Sequence, residues 1–265
     1  MMTIQDVRPE VPSEAPPALD VTSTALFLDL DGTLAPIEET PDLVIADPER
    51  SRILTNLARL LDGRLAVLSG RQIDEVDRIL DGSVSHVGGQ HGLERRLAGG
   101  VMQSTPAHPG LEDAAAAMER LARAQFGLLV ERKSAAVALH FRAKPECGPA
   151  VIDLAHRLAK THDLELQEGR MVAELRTPGP NKGDALEVFM ATAPFAGARP
   201  IMIGDDLTDE TAFAAAIGLG GDAILVGPPR PSHARWRLAS PAALLAWLDE
   251  ATRRSPDLPF PELAS

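Results

Sequence analysis

An α/β fold, with a parallel sheet and a smaller α/β unit inserted into it, is predicted by two features of the 265-residue sequence. Short apolar runs that stop at turn chemistry alternate with helical stretches early in the chain, and again late in it. Between them, residues 108–176 break the alternation and read as an αββαββ block.

The elements follow in order. "ALFLDL" (25–30) is a continuous apolar run, as in a strand covered on both faces. "DPERSRILTNLARLLDG" is a helix with Asp47 as N-cap, Pro48 in the first position and Gly63 as its stop. "RLAVLSGR" (64–71) repeats the buried-strand pattern and ends on Ser69 and Gly70. "QIDEVDRILDG" (72–82) is a helix, and "VSHVGGQHG" (84–92) a strand running into a glycine-rich loop. Such β-α alternation gives a parallel sheet with right-handed crossovers.

The inserted block opens with the Ala-rich helix "GLEDAAAAMERLARAQFG". "GLLVERKSAAVALHFR" (127–142) reads as two strands turning near Lys133 and Ser134; a helix covers 148–162, and "LELQEG" and "RMVAELR" are two more strands. The parallel pattern then resumes with the helix "NKGDALEVFMA", the strand "RPIMIGDD", the helix "TDETAFAAA" and the strand "DAILVG". The expected division is a core of residues 24–107 and 177–253, with the inserted domain at 108–176. Residues 1–23, rich in Pro, Glu and Ser, read as a disordered arm, and 254–265 as a loose tail.

The net charge of −12 argues against a nucleic-acid partner, which would need clustered Lys and Arg. A small anionic substrate stays open, because local charges in a cleft decide its binding. The single cysteine, Cys147, cannot form an intramolecular disulfide and has no base beside it in "KPECGPA", so it reads as an incidental thiol. No apolar run approaches the ~18 residues of a membrane span, and the start lacks the apolar stretch of a signal peptide. A cytoplasmic monomer with no membrane partner is the expectation.

The chemistry gathers at strand ends, where ligands bind in open α/β sheets. Asp29 and Asp31 close the first strand, and the Gly32-Thr33 turn offers backbone N–H groups to an anion. Ser69 closes the second strand, Lys182 opens a helix, and Asp205, Asp206 and Asp209 follow a later strand. Taken singly, each has a plainer explanation as a cap or a solvated charge; their common placement is what points to a site. Asp29 is suited to attack phosphorus as a covalent nucleophile. An anion approaching phosphate is repelled by about 4 kcal/mol per charge pair at ~4 Å and an effective dielectric near ~20. Asp29 and Asp205 make a hard-oxygen site suited to Mg²⁺, which would offset that repulsion. Lys182 adds a positive charge and Ser69 a hydroxyl donor, while Asp31 is left to handle protons.

D-x-D-G-T, a strand-end Ser, a Lys and G-D-D-x-T-D-E together resemble the haloacid-dehalogenase-like (HAD) phosphatase superfamily, with its Rossmann-like core and inserted α/β cap. Within it, "FLDLDGTLAPI", "LSGR", "GGQHGLERR", "VERKSAAVALHFR", "GRMVAELRTPGPNKGDAL" and "IMIGDDLTDETAF" resemble the trehalose-6-phosphate phosphatase family over about residues 26–213. The resemblance implies that Asp29 is the nucleophile and Asp31 the acid/base. It implies that Asp29, the main-chain carbonyl of Asp31 and Asp205 hold Mg²⁺, supported by Asp206 and Asp209. Phosphate would lie on Ser69, Lys182, Gly32 and Thr33. The sugar would meet Gly70, Arg71, Gln90, His91 and Gly92 from the core, and Glu131, Lys133, Arg142 and Glu174 from the cap. Two positions depart from the family pattern: Arg132 stands where Asp is usual, and Phe141 where Tyr is usual. Both lie away from the phosphate chemistry and bear on the sugar, so phosphatases for sucrose or mannosylglycerate phosphates are alternatives. A non-catalytic sugar-phosphate sensor is a rival of another class, which a lost nucleophile would have favoured.

Overall fold

The computed structural model describes residues 11–169 and 171–254. Its strands are β1 (Thr24–Leu28), β2 (Leu65–Leu68), β3 (His86–Gly89), β4 (Glu94–Arg96), β5 (Met102–Ser104), β6 (Leu129–Arg132), β7 (Ala136–His140), β8 (Glu165–Gly169), β9 (Val172–Arg176), β10 (Arg199–Gly204), β11 (Asp222–Val226) and β12 (Trp236–Leu238). Eight of them form one sheet in the order β12-β11-β10-β1-β2-β3-β4-β5. It is parallel from β12 to β3 and antiparallel from β3 to β5. The other four form an antiparallel sheet, β6-β7-β9-β8.

Alternation along β1 shows why its residues 25–28 are all apolar. Leu26 and Leu28 pack on one side with Ile53, Leu54 and Leu57 of α1 (Pro48–Leu60), Val76 of α2 (Ile73–Leu80) and Leu248 of the last helix (Pro241–Arg253). Ala25 and Phe27 face the other side, against Leu186, Phe189 and Phe213 from the helices Lys182–Met190 and Glu210–Gly218. A parallel strand covered on both faces has no polar side to show. Asp47 caps α1 as its spacing suggests, accepting from the N–H groups of Glu49 and Arg50, with Pro48 in the first turn.

The small sheet carries α3 (Leu111–Ala124) and α4 (Gly148–His162) on one face, over Val137, Leu139, Ala173 and Leu175. Its other face is set by a strand period of two. The register aligns Glu131, Ala138, Glu174 and Gln167 in one row across all four strands. That row faces the C-terminal edge of the larger sheet. Three more helices complete the chain: α5 (Lys182–Met190), α6 (Glu210–Gly218) and α7 (Pro241–Arg253). No helix among the described residues is long and apolar enough to cross a membrane.

The disordered arm expected over residues 1–23 needs correction for residues 11–23, while residues 1–10 lie outside the described residues, as does 255–265 of the expected tail. The carbonyl of Glu14 accepts from the N–H of Arg237 in β12 at 2.8 Å, and that of Pro17 from Trp247 Nε1 in α7 at 3.0 Å. Leu19 and Val21 pack on the core. A proline-rich segment makes no internal backbone bonds, so its carbonyls are available to neighbours. Here they cover the outer edge of β12, an edge that would otherwise be unpaired. Deleting residues 1–20 should therefore cost about 1–3 kcal/mol through lost apolar burial and hydrogen bonds. A thermal melt checks it; an unchanged melting temperature would mean that the segment contributes nothing.

Candidate active site

Asp29 follows β1, and its N–H donates to the Ile203 carbonyl of β10, which fixes its place in the middle of the sheet. The chain then turns tightly. The Leu30 carbonyl accepts from the N–H groups of Thr33, Leu34 and Ala35. Gly32 sits at φ +88°, and a Cβ there would fall 2.1 Å from Asp205 Oδ2, so both backbone angle and space demand glycine. Asp205 thereby lies directly against the turn after β1, although 176 positions separate it from Asp29 in sequence.

Asn181 caps α5 by accepting from the N–H groups of Gly183 and Asp184, which places Lys182 in the first turn. The Lys182 ammonium is buried and donates to Asp29 Oδ1 at 2.7 Å and Asp209 Oδ1 at 2.6 Å. Asp209 is fully buried, and its Oδ2 accepts the N–H groups of Asp205 and Asp206, both at 3.0 Å. Asp29, Asp205 and Asp209 each offer an oxygen within 4.8 Å of the others. Both Asp209 oxygens are engaged, so Asp29 and Asp205 are the members whose oxygens face one another for a cation.

Electrostatics follow from this crowding. Burial raises the Asp29 carboxyl well above its ordinary value; Lys182 opposes the rise, and Asp209 and Asp205 add to it. Asp205 is pushed up to about 7 by burial and by Asp209 and Asp206. Burial pulls the Lys182 ammonium down, but Asp209 and Asp29 outweigh it and leave its value well raised. One ammonium for three carboxylates is a charge deficit that a bound cation relieves.

Ser69 lies buried at the end of β2, where its Oγ accepts from the Arg71 N–H at 3.1 Å and keeps its own proton to donate. Thr33 is buried, with Oγ1 at 3.5 Å from Asp205 Oδ1. One expectation fails. The N–H groups of Gly32 and Thr33, expected to face an anion, donate to the Ala35 and Leu30 carbonyls because the turn closes on itself.

Above this floor lies a cavity of about 640 Å³ between the two sheets. Of the residues expected at the site, Asp31, Gly32, Gly70, Arg71, His91, Glu131, Lys133, Arg142, Glu174, Asp205 and Asp206 line it. Asp31 takes a two-pronged contact from Arg71, Nε to Oδ2 at 2.7 Å and Nη2 to Oδ1 at 2.8 Å. A third prong, Nη1, donates to the Pro41 carbonyl. Arg71 is thus aimed at Asp31. Asp206 turns its Oδ1 to the Leu207 N–H at 2.6 Å, capping the short turn that carries Asp209.

The small sheet closes the cavity from above. Lys133 Nζ donates to Glu174 Oε2 at 2.5 Å and to the Gly70 carbonyl at 2.9 Å, joining one sheet to the other. Burial works against its charge, but Glu174 and Glu131 raise its value. Glu131 Oε2 meets His140 Nε2 at 2.7 Å; burial alone would raise this carboxyl, yet His140 and Lys133 hold it below the usual range. Arg142 donates to the Glu38 carbonyl. His91 is kept neutral by burial and by the charges of Lys182 and Lys133. Two buried atoms in the lining side chains have no hydrogen-bond partner, His91 Nδ1 and Glu174 Oε1.

Asp29, Thr33, Ser69, Lys182 and Asp209 are buried beneath the lining, and Gln90 and Gly92 do not join it either. Gln90 Nε2 donates to Ser134 Oγ at 2.6 Å and its Oε1 accepts from the Ala135 N–H at 2.9 Å, so its amide fastens the two units together. Gly92 is at φ +102°, where a Cβ would meet the Asn181 carbonyl at 2.5 Å. Sequence reasoning passed over Gln167, which reaches His91 at 2.6 Å; its place in the period-two row with Glu174 was the available signal.

A protein-family model described as trehalose-phosphatase matches residues 27–241. A probable trehalose-phosphate phosphatase of Sinorhizobium fredii is 38% identical over 215 residues, covering 80% of this chain and 81% of that one. The trehalose-6-phosphate phosphatase of Escherichia coli K12 is 36% identical over 230 residues, covering 86% of each. The C-terminal domain of Candida albicans trehalose-6-phosphate phosphatase superposes with a TM-score of 0.78 at 22% identity, covering 90% of this chain and 99% of that one, which shows a shared fold.

Proposed function

The chain belongs to the trehalose-phosphatase family, and on that premise we propose that it hydrolyses trehalose 6-phosphate to trehalose and phosphate through an aspartyl-phosphate on Asp29. The observation that carries this reading is the buried group of Asp29, Lys182, Asp205 and Asp209 directly below a cavity lined by charged and polar side chains from both sheets. A sensor would have no use for a nucleophile held at this cost in burial.

Lys182 fixes Asp29 Oδ1, which leaves Oδ2 to attack phosphorus. The phosphorus–oxygen bond to the sugar breaks, and the leaving oxygen takes a proton from Asp31. Asp31 then accepts a proton from water as the water attacks phosphorus, releasing phosphate and restoring Asp29. Both Asp31 oxygens are held by Arg71 here, so one of those contacts opens when Asp31 carries the proton. Two of the three Lys182 N–H donors are committed to Asp29 and Asp209, leaving one for a phosphate oxygen beside the Ser69 hydroxyl. Glu131, Lys133, Arg142 and Glu174, with Arg71, Gly70 and His91, would surround the disaccharide.

The donor set fits Mg²⁺: hard carboxylate oxygens of Asp29 and Asp205, with the Asp31 main-chain carbonyl, in a cluster short of positive charge. Bound there, the ion would offset the carboxylate charge and orient the phosphate. The remainder of the reading, a cytoplasmic monomer acting on a small sugar phosphate, draws on composition and the absence of clustered basic residues.

The test is phosphate release from trehalose 6-phosphate, sucrose 6-phosphate and a mannosylglycerate phosphate, each with Mg²⁺ and with EDTA. Trehalose 6-phosphate should be preferred by about 100-fold or more in kcat/KM, as expected where unmet hydrogen bonds penalise the wrong sugar. Equal or better turnover of another sugar phosphate would reject the substrate. EDTA should silence the reaction and Mg²⁺ restore it; an unchanged rate in EDTA would reject the metal.

A further inference from the structure

Arg230 lies in the loop between β11 and β12, where no feature of the sequence drew attention to it. Its guanidinium reaches the backbone that carries Asp205. Nη2 donates to the Asp206 carbonyl at 2.8 Å, and Nη2 and Nε approach the Asp205 carbonyl at 3.3 and 3.4 Å. From the opposite side, Asp209 Oδ2 accepts both N–H groups of the same two residues. Asp205 and Asp206 are therefore held by their N–H and their C=O groups at once.

The holder is itself anchored. Arg230 Nη1 pairs with the Glu210 carboxylate at the start of α6. Glu210 also accepts from Ser232 Oγ at 2.8 Å and from the His233 N–H at 2.9 Å, and it meets His233 Nδ1 at 2.9 Å. The segment 230–233 is thus tied back to the helix that follows Asp209. These donors keep Glu210 below its usual range although burial works the other way.

Asp205 needs such restraint. Its carboxylate stands against Gly32 and is repelled by Asp209 and Asp206, so a free backbone would let it swing away from its place beside Asp29. We propose that Arg230 is a positioning residue for the cation site: by holding the Asp205 and Asp206 carbonyls it keeps the Asp205 carboxylate facing Asp29, where the two share a divalent cation. This rests on the Mg²⁺ reading above. Arg is suited to the task because its planar fork spans two carbonyls, which a lysine ammonium cannot do in one geometry.

Calorimetric titration of the full chain with MgCl₂ tests it. Arg230→Met should weaken Mg²⁺ binding by about 10- to 100-fold, the usual effect of removing a residue that orients a metal ligand. Arg230→Lys should fall between it and wild type, and the rate lost in Arg230→Met should return as Mg²⁺ is raised to saturation. An Arg230→Met protein that binds Mg²⁺ as tightly as wild type would overturn the inference. So would a loss of kcat that saturating Mg²⁺ does not restore. If Arg230→Met does not fold, Arg230→Lys decides, and wild-type affinity in it overturns the inference. A wild-type chain that takes up no Mg²⁺ would instead sink the cofactor reading, and this inference with it.

Discussion

Asp29→Asn is expected to release phosphate at less than about one percent of the wild-type rate while melting within a few degrees of it. A carboxamide cannot serve as the covalent nucleophile, so the first step has no substitute. Stability should survive for an electrostatic reason. Burial raises the Asp29 value above that of the unfolded chain, with Asp209 and Asp205 adding to the rise. A raised carboxyl contributes stability below its unfolded value and loses that contribution as pH climbs through the folded one. At neutral pH the native carboxylate is therefore under strain from its surroundings, and an uncharged Asn whose oxygen still accepts from Lys182 costs little. Phosphate release and a thermal melt on the same sample check both halves; activity above about one percent would contradict the covalent role.

Lys182→Met should behave in the opposite way and damage the fold as well as the rate. The ammonium has 3% side-chain exposure and is the cation bonded to both Asp29 and Asp209. Its value is raised in the folded state, so its contribution is fully present at neutral pH and is lost only in strong alkali. Removing one partner of a buried pair costs about 3–5 kcal/mol because the other charge is left uncompensated. At roughly 2–4 °C per kcal/mol for a chain of this size, the melting temperature should fall on the order of 10 °C. The carboxylates left behind can be relieved by protons, so the deficit measured in EDTA should be smaller at pH ~5 than at pH ~8. A variant that melts like wild type at both pH values would show that the cluster does not need its cation.

Much of this architecture was legible because buried parallel strands have no polar face. The runs around Phe27, Val67 and Met202 announce themselves, and the acidic and serine residues that end them mark the rim where ligands sit. Lys182 was legible at a helix start, and the structure supplies the cause: Asn181 accepts from the Gly183 and Asp184 N–H groups while Asp184 accepts from the Asn181 N–H. The hairpin of β4 and β5 was not legible. Glu94, Arg95 and Arg96 are all half-buried, and their partners Met102, Gln103 and Ser104 are exposed, so no apolar alternation exists to read. Gln90 was named through the resemblance alone, and no pattern in the sequence shows that its amide is taken up by Ser134 and Ala135 of the small sheet. The N-terminal segment misled because composition reports what a chain can do alone, not what β12 and Trp247 offer it. Arg230 left no trace, because a donor that serves main-chain carbonyls needs no motif at either end.

The polar seam between the two sheets has a consequence for the pace of turnover. Its contacts include Gln90 to Ser134, Gln90 to Ala135, Gln72 to Ser134, Lys133 to Gly70, Gln167 to His91 and Arg142 to Glu38. Each can be exchanged for water, at a net of about 0.5–1.5 kcal/mol for the neutral pairs and about 1.5–3 kcal/mol where Lys133 or Arg142 donates. The apolar core of the small sheet is a cluster separate from those of the larger one. The enclosure is thus cheap to undo, and a bulky, heavily hydrated product can depart without any part of the interior coming apart.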